Sequence, residues 1–179
     1  MCGTASHEKG ADIFMETAAQ AAEFDFIWIG GWRPPDAPDN PVCGDFERRA
    51  LPNLFITGAT DNPYAHMQGL SIFFLSSRED PNPLVLAEAA ILGVPIVAFS
   101  ATTAVTDWLG RAAILCYGTP NTGDIIRVLR ALEPEDVRSQ EFNPSPDEMI
   151  MKFDLDCKCD ELRQFIADVR AGTAPETST

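Results

Sequence analysis

The sequence predicts an α/β protein built on a doubly wound parallel sheet, and three observations carry that prediction. Five short apolar runs read as strands buried on both faces: Phe26 to Gly31, Leu54 to Gly58, Ser71 to Leu75, Pro95 to Phe99 and Ala112 to Tyr117. Segments with helical character lie among them, and glycines stand at several of the strand exits. Alternation of this kind covers a parallel sheet with helices on both faces. Its crossovers are expected to be right-handed, and its ligand to lie beyond the carboxyl ends of the strands.

The elements follow in order. Gly10 to Phe24 has Ile13, Phe14, Thr17, Ala18 and Ala21 at three- and four-residue steps, the apolar stripe of a helix. The first strand run ends in Gly30-Gly31, and a Pro-rich loop from Trp32 to Asp45 follows. After the second strand run, Asn62 and Pro63 start a short helix through Met67. The third strand run leads to the polar turn Ser76-Ser77-Arg78-Glu79-Asp80-Pro81 and a helix that ends at Gly93. Asn82 is expected to cap that helix, with Pro83 at its first position. A short helix near Val105 to Leu109, the last strand run and a helix over Thr122 to Leu132 complete the pattern.

The helix after Pro83 draws attention to one residue. From Leu84 to Leu92 every side chain is apolar except Glu88. A helix apolar all round is expected to be buried on most faces, where a lone carboxylate needs a partner or a cleft. On an ordinary helix Glu88 would simply mark the wet stripe. Here Asp80 stands at the helix entrance with seven residues between it and Glu88, so the two acids are about two turns apart. Free N–H groups at the helix start between them can hold an anion. A phosphate cradle with a hydroxyl-binding carboxylate on either side is the outline of a nucleotide-sugar pocket.

At these residues the chain resembles the C-terminal, nucleotide-sugar-binding domain of retaining glycosyltransferases of the GT-B fold, in family four, also called glycosyl transferases group 1. The family motif is E-x7-E across a loop and helix, and Asp80 and Glu88 occupy its two acidic places, followed by Gly93-Val94-Pro95-Ile96-Val97. The Ser-Arg-Glu-Asp-Pro-x-Pro-Leu-Val run is similar to a subgroup in which Asp holds the first place. The resemblance implies a Rossmann-like half of a GT-B enzyme spanning roughly Gly3 to Leu132. It implies that Asp80 contacts donor sugar hydroxyls and Glu88 the ribose hydroxyls. Lys9-Gly10 matches the family's Lys-Gly element, whose lysine meets the donor diphosphate. The arginine that many relatives carry six residues before that lysine is Gly3 here, and Ser100-Ala101-Thr102-Thr103-Ala104 replaces a Gly-Gly-x-x-Glu phosphate loop. The implied donor contacts are Lys9, Gly30, Gly58, Pro81, Asn82, Pro83, Leu84 and Glu88, with Gly58 near the nucleobase and Lys9 and Asp80 in the catalytic roles. No metal or cofactor is implied beyond the nucleotide-diphosphate sugar itself.

Composition narrows the function further. Thirteen Lys plus Arg against 27 Asp plus Glu give a net charge of −14, which argues against nucleic acid as a partner, since phosphate backbones need clustered cations. An anionic nucleotide must then meet local groups, for which Lys9, Arg33, Arg78 and Arg111 are the candidates. The five cysteines, Cys2, Cys43, Cys116, Cys157 and Cys159, are odd in number and lack C-x-x-C, which favours reduced thiols. Cys116 is expected in the core. No apolar run approaches the roughly 20 residues of a membrane span, so the default location is cytoplasmic. Asp154 to Asp160 contains a D-x-D and clustered acids and thiols, and contiguous ligands of this kind rarely converge on a metal. It is expected to be a solvated acidic segment.

Beyond residue 132 a helical extension is expected over 133–170, including an amphipathic helix from Asp160 to Val169, with a disordered tail over 171–179. Two parts of the family's enzyme have no counterpart. Its first sheet strand lies just before the glycine matching Gly3, where only Met1 and Cys2 stand. Either the chain is part of a longer one, or its sheet closes between the strand at Phe26 and the strand at Ile72. The acceptor-binding domain is also missing, so the chain is expected to bind donor without turning it over. A half-enzyme or nucleotide-sugar-binding module that pairs with a separate acceptor chain is the alternative. A dinucleotide oxidoreductase ranks low without G-x-G-x-x-G after a strand, and a non-binding structural domain would follow if Glu88 faced solvent.

Overall fold

The computed structural model describes residues 1–32, 49–104, 109, 113–132, 164 and 167. Its strands are β1 (Phe26–Trp28), β2 (Leu54–Ile56), β3 (Phe73–Phe74), β4 (Ile96–Phe99) and β5 (Ala113–Cys116). Its helices are α1 (Ala11–Gln20), α2 (Pro63–Met67), α3 (Leu84–Ile91) and α4 (Thr122–Ala131). All pairings between these strands are parallel, in the orders β1-β2 and β3-β4-β5. Parallel strands flanked by helices make the expected Rossmann-like α/β fold. Every β4 residue is buried, as a strand covered on both faces requires.

The sheet does not close between β1 and β3. Among the described residues no strand pairing joins its two parts. The first residues of the chain lie along β1 instead: Ile29 N–H donates to Met1 O at 2.8 Å and Gly3 N–H to Ile29 O at 2.8 Å, with parallel bridges at Cys2–Ile29 and Ala5–Trp32. Side chains bridge the two parts. Phe14, from α1, meets Phe26 and Trp28 edge-on at 5.5 and 5.3 Å between ring centroids and stacks on Phe74 at 5.7 Å. Phe74 in turn meets Phe99 at 6.4 Å. Cys116 is buried in this core, as expected.

Element ends depart from the sequence reading in instructive ways. Helix α1 stops at Gln20 rather than Phe24. The buried amide of Asn53 donates to Ala18 O, Ala21 O and Phe24 O at 2.9 to 3.3 Å, satisfying carbonyls that a longer helix would have used itself. At α3 the N-cap is Pro83, not Asn82, because Pro83 is extended (ψ 105°) and the helix begins one residue later than expected, with no side-chain cap. Asn62 does cap α2, its Oδ1 accepting from Ala65 N–H at 3.3 Å. Gly93, in the left-handed region at φ 71°, turns the chain out of α3 as expected.

Of the predicted helix near Val105 to Leu109, only Leu109 is described, helical and buried. The Trp32 to Asp45 loop beyond Trp32, Arg33, Cys43, Arg111, Cys157, Cys159 and the Asp154 to Asp160 segment lie outside the described residues. Within the expected extension only Gln164 and Ala167 are described, both helical and exposed. No helix among the described residues is long and apolar enough to cross a membrane.

Candidate functional site

The loops that leave the carboxyl ends of β1 to β4 carry the residues singled out above. The lead into α1 and the loop after β3 are fastened to each other at several points. Arg78 N–H donates to Glu8 O at 2.9 Å, and Ser76 Oγ donates to Lys9 O at 2.9 Å. Arg78 places both terminal nitrogens on the Asp12 carboxylate at 2.7 and 2.6 Å and adds a bond to His7 O at 2.6 Å. Burial alone pushes the Asp12 carboxyl up, and the bidentate guanidinium overrides it, holding the group below the usual carboxylate range. Arg78, expected as a cation for a bound anion, is therefore engaged within the protein. Replacing it with Met is expected to lower stability by about 1 kcal/mol, most of the bidentate bond being screened at this half-exposed position. Urea unfolding at neutral pH checks it.

This clamp brings Lys9 onto Asp80. The Lys9 ammonium is ion-paired with Asp80 Oδ2, and Ser77 Oγ donates to the same oxygen at 3.4 Å. Lys9 remains 37% exposed at its side chain while Asp80 is 13% exposed, so the lysine is the member of the pair within a ligand's reach. Asp80 N–H donates to Thr102 O at 3.0 Å and Ala104 N–H to Pro81 O at 3.1 Å, so the loop after β4 braces the acid from behind. That loop does less for a phosphate than its hydroxyls suggest. Thr102 and Thr103 are buried, and Thr102 Oγ1 donates to Phe99 O at 2.9 Å.

Helix α3 starts directly beyond this pair. Leu86 N–H reaches back to Pro83 O at 3.0 Å. The earlier N–H groups of Leu84 and Val85 have neither a preceding turn nor a side-chain cap to bond. Pro81 and Asn82 are exposed and Pro83 is buried beneath them. Leu84 is 71% exposed, which corrects the expectation of a helix buried nearly all round. Its buried side is Leu86, Ala87, Ala89 and Ala90; Glu88 lies one turn after Leu84, on the half-exposed stripe. Glu88 is therefore neither a stranded core carboxylate nor a freely solvated one, because Tyr64 Oη donates to its Oε1 at 3.2 Å. The Glu88 charge pushes the Tyr64 phenol up. The Cys2 thiol is raised chiefly by burial, with the same carboxylate adding to it.

The strand-exit glycines complete this side. Gly30 and Gly58 form an antiparallel bridge. Gly30 has φ 134°, and a Cβ there would stand 2.2 Å from Gly3 O, so only glycine lets the two segments meet. Gly58, at φ 74°, faces open space. Two groupings result. Lys9 with Asp80 stands at the loop junction, and Glu88 with Tyr64 and Cys2 lies further along α3. The acids, Lys9 and the glycines had signals in spacing and turn chemistry. Tyr64, Asp12 and Asn53 had none, because each acts on a segment distant in sequence. No group of three or more His, Cys, Asp or Glu side chains converges as a metal site among the described residues.

Comparison with solved structures places this arrangement among known folds. HepE of Anabaena, crystallised with UDP, superposes with a TM-score of 0.74 at 18% identity over 93% of this chain and 47% of its own. Sucrose-phosphate synthase of Thermosynechococcus elongatus gives 0.68 at 18% identity, over 93% of this chain and 43% of its own. The C-terminal domain of the group 1 glycosyl transferase LpcC of Francisella tularensis gives 0.62 at 15% identity, over 85% and 82%. The chain thus spans less than half the length of HepE and of the synthase. No curated protein matches the sequence significantly. A family model described as "Glycosyl transferases group 1" matches residues 1–132, the stretch that carries every site residue described above, and the chain belongs to that family.

Proposed function

We propose that this chain is the donor-binding domain of a retaining, metal-independent glycosyltransferase, which transfers a sugar from a nucleotide-diphosphate donor to an acceptor hydroxyl. One observation carries the reading: Lys9 is held on Asp80 at the entrance of a helix with an uncapped start, two turns before Glu88. Lys9 and the N–H groups of Leu84 and Val85 stabilise the leaving diphosphate, where electrostatic stabilisation contributes most to rate. Asp80 orients the sugar. Glu88, steadied by Tyr64, accepts from the ribose hydroxyls, and Gly30 and Gly58 border the nucleobase. HepE was crystallised with UDP, which makes UDP the first nucleotide to try. The acceptor site belongs to a domain outside this chain, so the 179-residue polypeptide binds donor without turning it over.

Calorimetric titration with UDP, GDP, ADP and their sugar conjugates tests this. Lys9→Ala and Glu88→Ala are each expected to weaken binding about 10-fold or more, the loss of one hydrogen bond to a charged group. Equal binding by the variants would overturn the site. Glycosyl transfer by the purified chain would overturn its dependence on another domain. A second reading is a half-enzyme working with a separate acceptor chain. Co-purification with such a chain distinguishes it.

A further inference from the structure

Asp80 stands on a backbone that is tied at both ends. Arg78 N–H donates to Glu8 O at 2.9 Å on one side of the loop and Asp80 N–H to Thr102 O at 3.0 Å on the other, so the main chain here is fastened to two separate segments. What the carboxylate presents to a ligand is then set by its own side-chain torsions. Among the described residues, the Lys9 ammonium and the Ser77 hydroxyl both meet Oδ2, and no hydrogen-bond donor meets Oδ1. The two partners differ in kind. Lys9 carries a point charge on a flexible, half-exposed stem, whereas Ser77 is fully buried and uncharged. Its Oγ lies 3.4 Å from Oδ2, longer than the roughly 2.8 Å of a closed O–H···O bond. The serine is thus a reserve partner, close and dry but slack while Lys9 holds the same oxygen.

We infer that Ser77 is the positioning residue of Asp80: it takes sole hold of Oδ2 when Lys9 turns to a bound diphosphate, and so aims Oδ1 at the donor sugar. The aim at a sugar rests on the donor-site reading above; the hold on Asp80 does not. Asp80 is mostly buried, and losing the ammonium with nothing in exchange would leave its charge largely desolvated. A hydroxyl closing on Oδ2 offsets part of that cost. It approaches from the interior, so it leaves the ligand side open. With the backbone tied and one oxygen pinned, the plane of the carboxyl group is fixed and Oδ1 has one direction to face.

A double-mutant cycle tests the takeover without any nucleotide. In urea unfolding, Ser77→Ala is expected to raise the unfolding equilibrium constant about threefold in the unsubstituted chain and about tenfold or more in the Lys9→Met background, the difference between a slack and a closed hydrogen bond to a charged group. Equal effects in the two backgrounds would overturn the takeover. Titration with UDP and UDP-glucose tests the aim: Ser77→Ala is expected to weaken UDP-glucose binding about fivefold or more beyond its effect on UDP. Ser77→Cys, which keeps the volume and a weak donor, should fall between the two. A serine that only shaped the loop would weaken both ligands alike, and that outcome would overturn the inference. An unsubstituted chain that binds no UDP, GDP or ADP, yet shows the coupling in the cycle, would sink the donor reading while supporting the hold of Ser77 on Asp80.

Discussion

Replacing Gly10 with Ala is expected to destabilise the protein by about 3 kcal/mol or more and to abolish donor binding with it. Gly10 has φ 67°, and a Cβ on it would stand 1.9 Å from Ser76 O and 2.7 Å from Ser76 C. The left-handed conformation alone costs an alanine about 1 to 2 kcal/mol. The collision is with backbone, which has no rotamer to retreat to, so the lead into α1 and the loop after β3 must separate. Their separation breaks the Ser76–Lys9 and Arg78–Glu8 bonds and carries Lys9 away from Asp80. Gly58→Ala is the control: its φ is 74°, but nothing lies within 4 Å, so only the conformational cost of about 1 kcal/mol remains. Urea unfolding of both variants checks the contrast, with UDP titration of Gly10→Ala against the unsubstituted chain. Equal losses in the two would show that Gly10 is not pinned by Ser76.

Stability is expected to climb between pH 5 and pH 8 through the Met1 amino group. Burial lowers its pKa from 8.0 to about 5, against a smaller opposing influence from Cys2. In that window the unfolded chain binds more protons than the folded one, so raising the pH favours folding. The contribution is complete above pH 8, where both states are neutral, and is lost as pH falls to 5. Three pH units correspond to about 4 kcal/mol as an order of magnitude. Asp12, Glu16 and Glu23 are all held below their ordinary range by arginine partners. They lose their contribution in more acid solution and leave the window clear. Unfolding curves at pH 5, 6.5 and 8 measure the slope, and Nα-acetylation of Met1 should flatten it. An unchanged slope after acetylation would assign it to other groups.

The run of strands and helices and the two-acid helix were legible because both are written locally. Apolar runs bounded by glycine signal strands, and Asp80 and Glu88 are related by helical repeat alone. Contacts across long stretches of chain were not. Asp12 and Arg78 are 66 positions apart, and Asn53 ends α1 from 32 to 35 positions downstream of Ala18 and Ala21. The cap at α3 failed for a local reason, since Asn82 and Pro83 suit the first helical positions equally well by type and only ψ at Pro83 separates them. The character of Glu88 was half legible. Composition predicts burial for its helix, whereas the exposed Leu84 shows that one apolar side lies uncovered by the described residues.

The contact between Lys9 and Asp80 has a further consequence for the order of events at the proposed site. Without a ligand the two charges neutralise each other, and the acid is occupied. A sugar hydroxyl arriving alone finds its acceptor taken. A diphosphate arriving first draws the half-exposed ammonium to itself, an exchange of one anionic oxygen for another that costs little at a solvent-reachable pair. That exchange would free Asp80 for the sugar role proposed for it. Under the proposed donor roles the pair would act as a sequence lock, in which the nucleotide end of a donor opens the place for its sugar end.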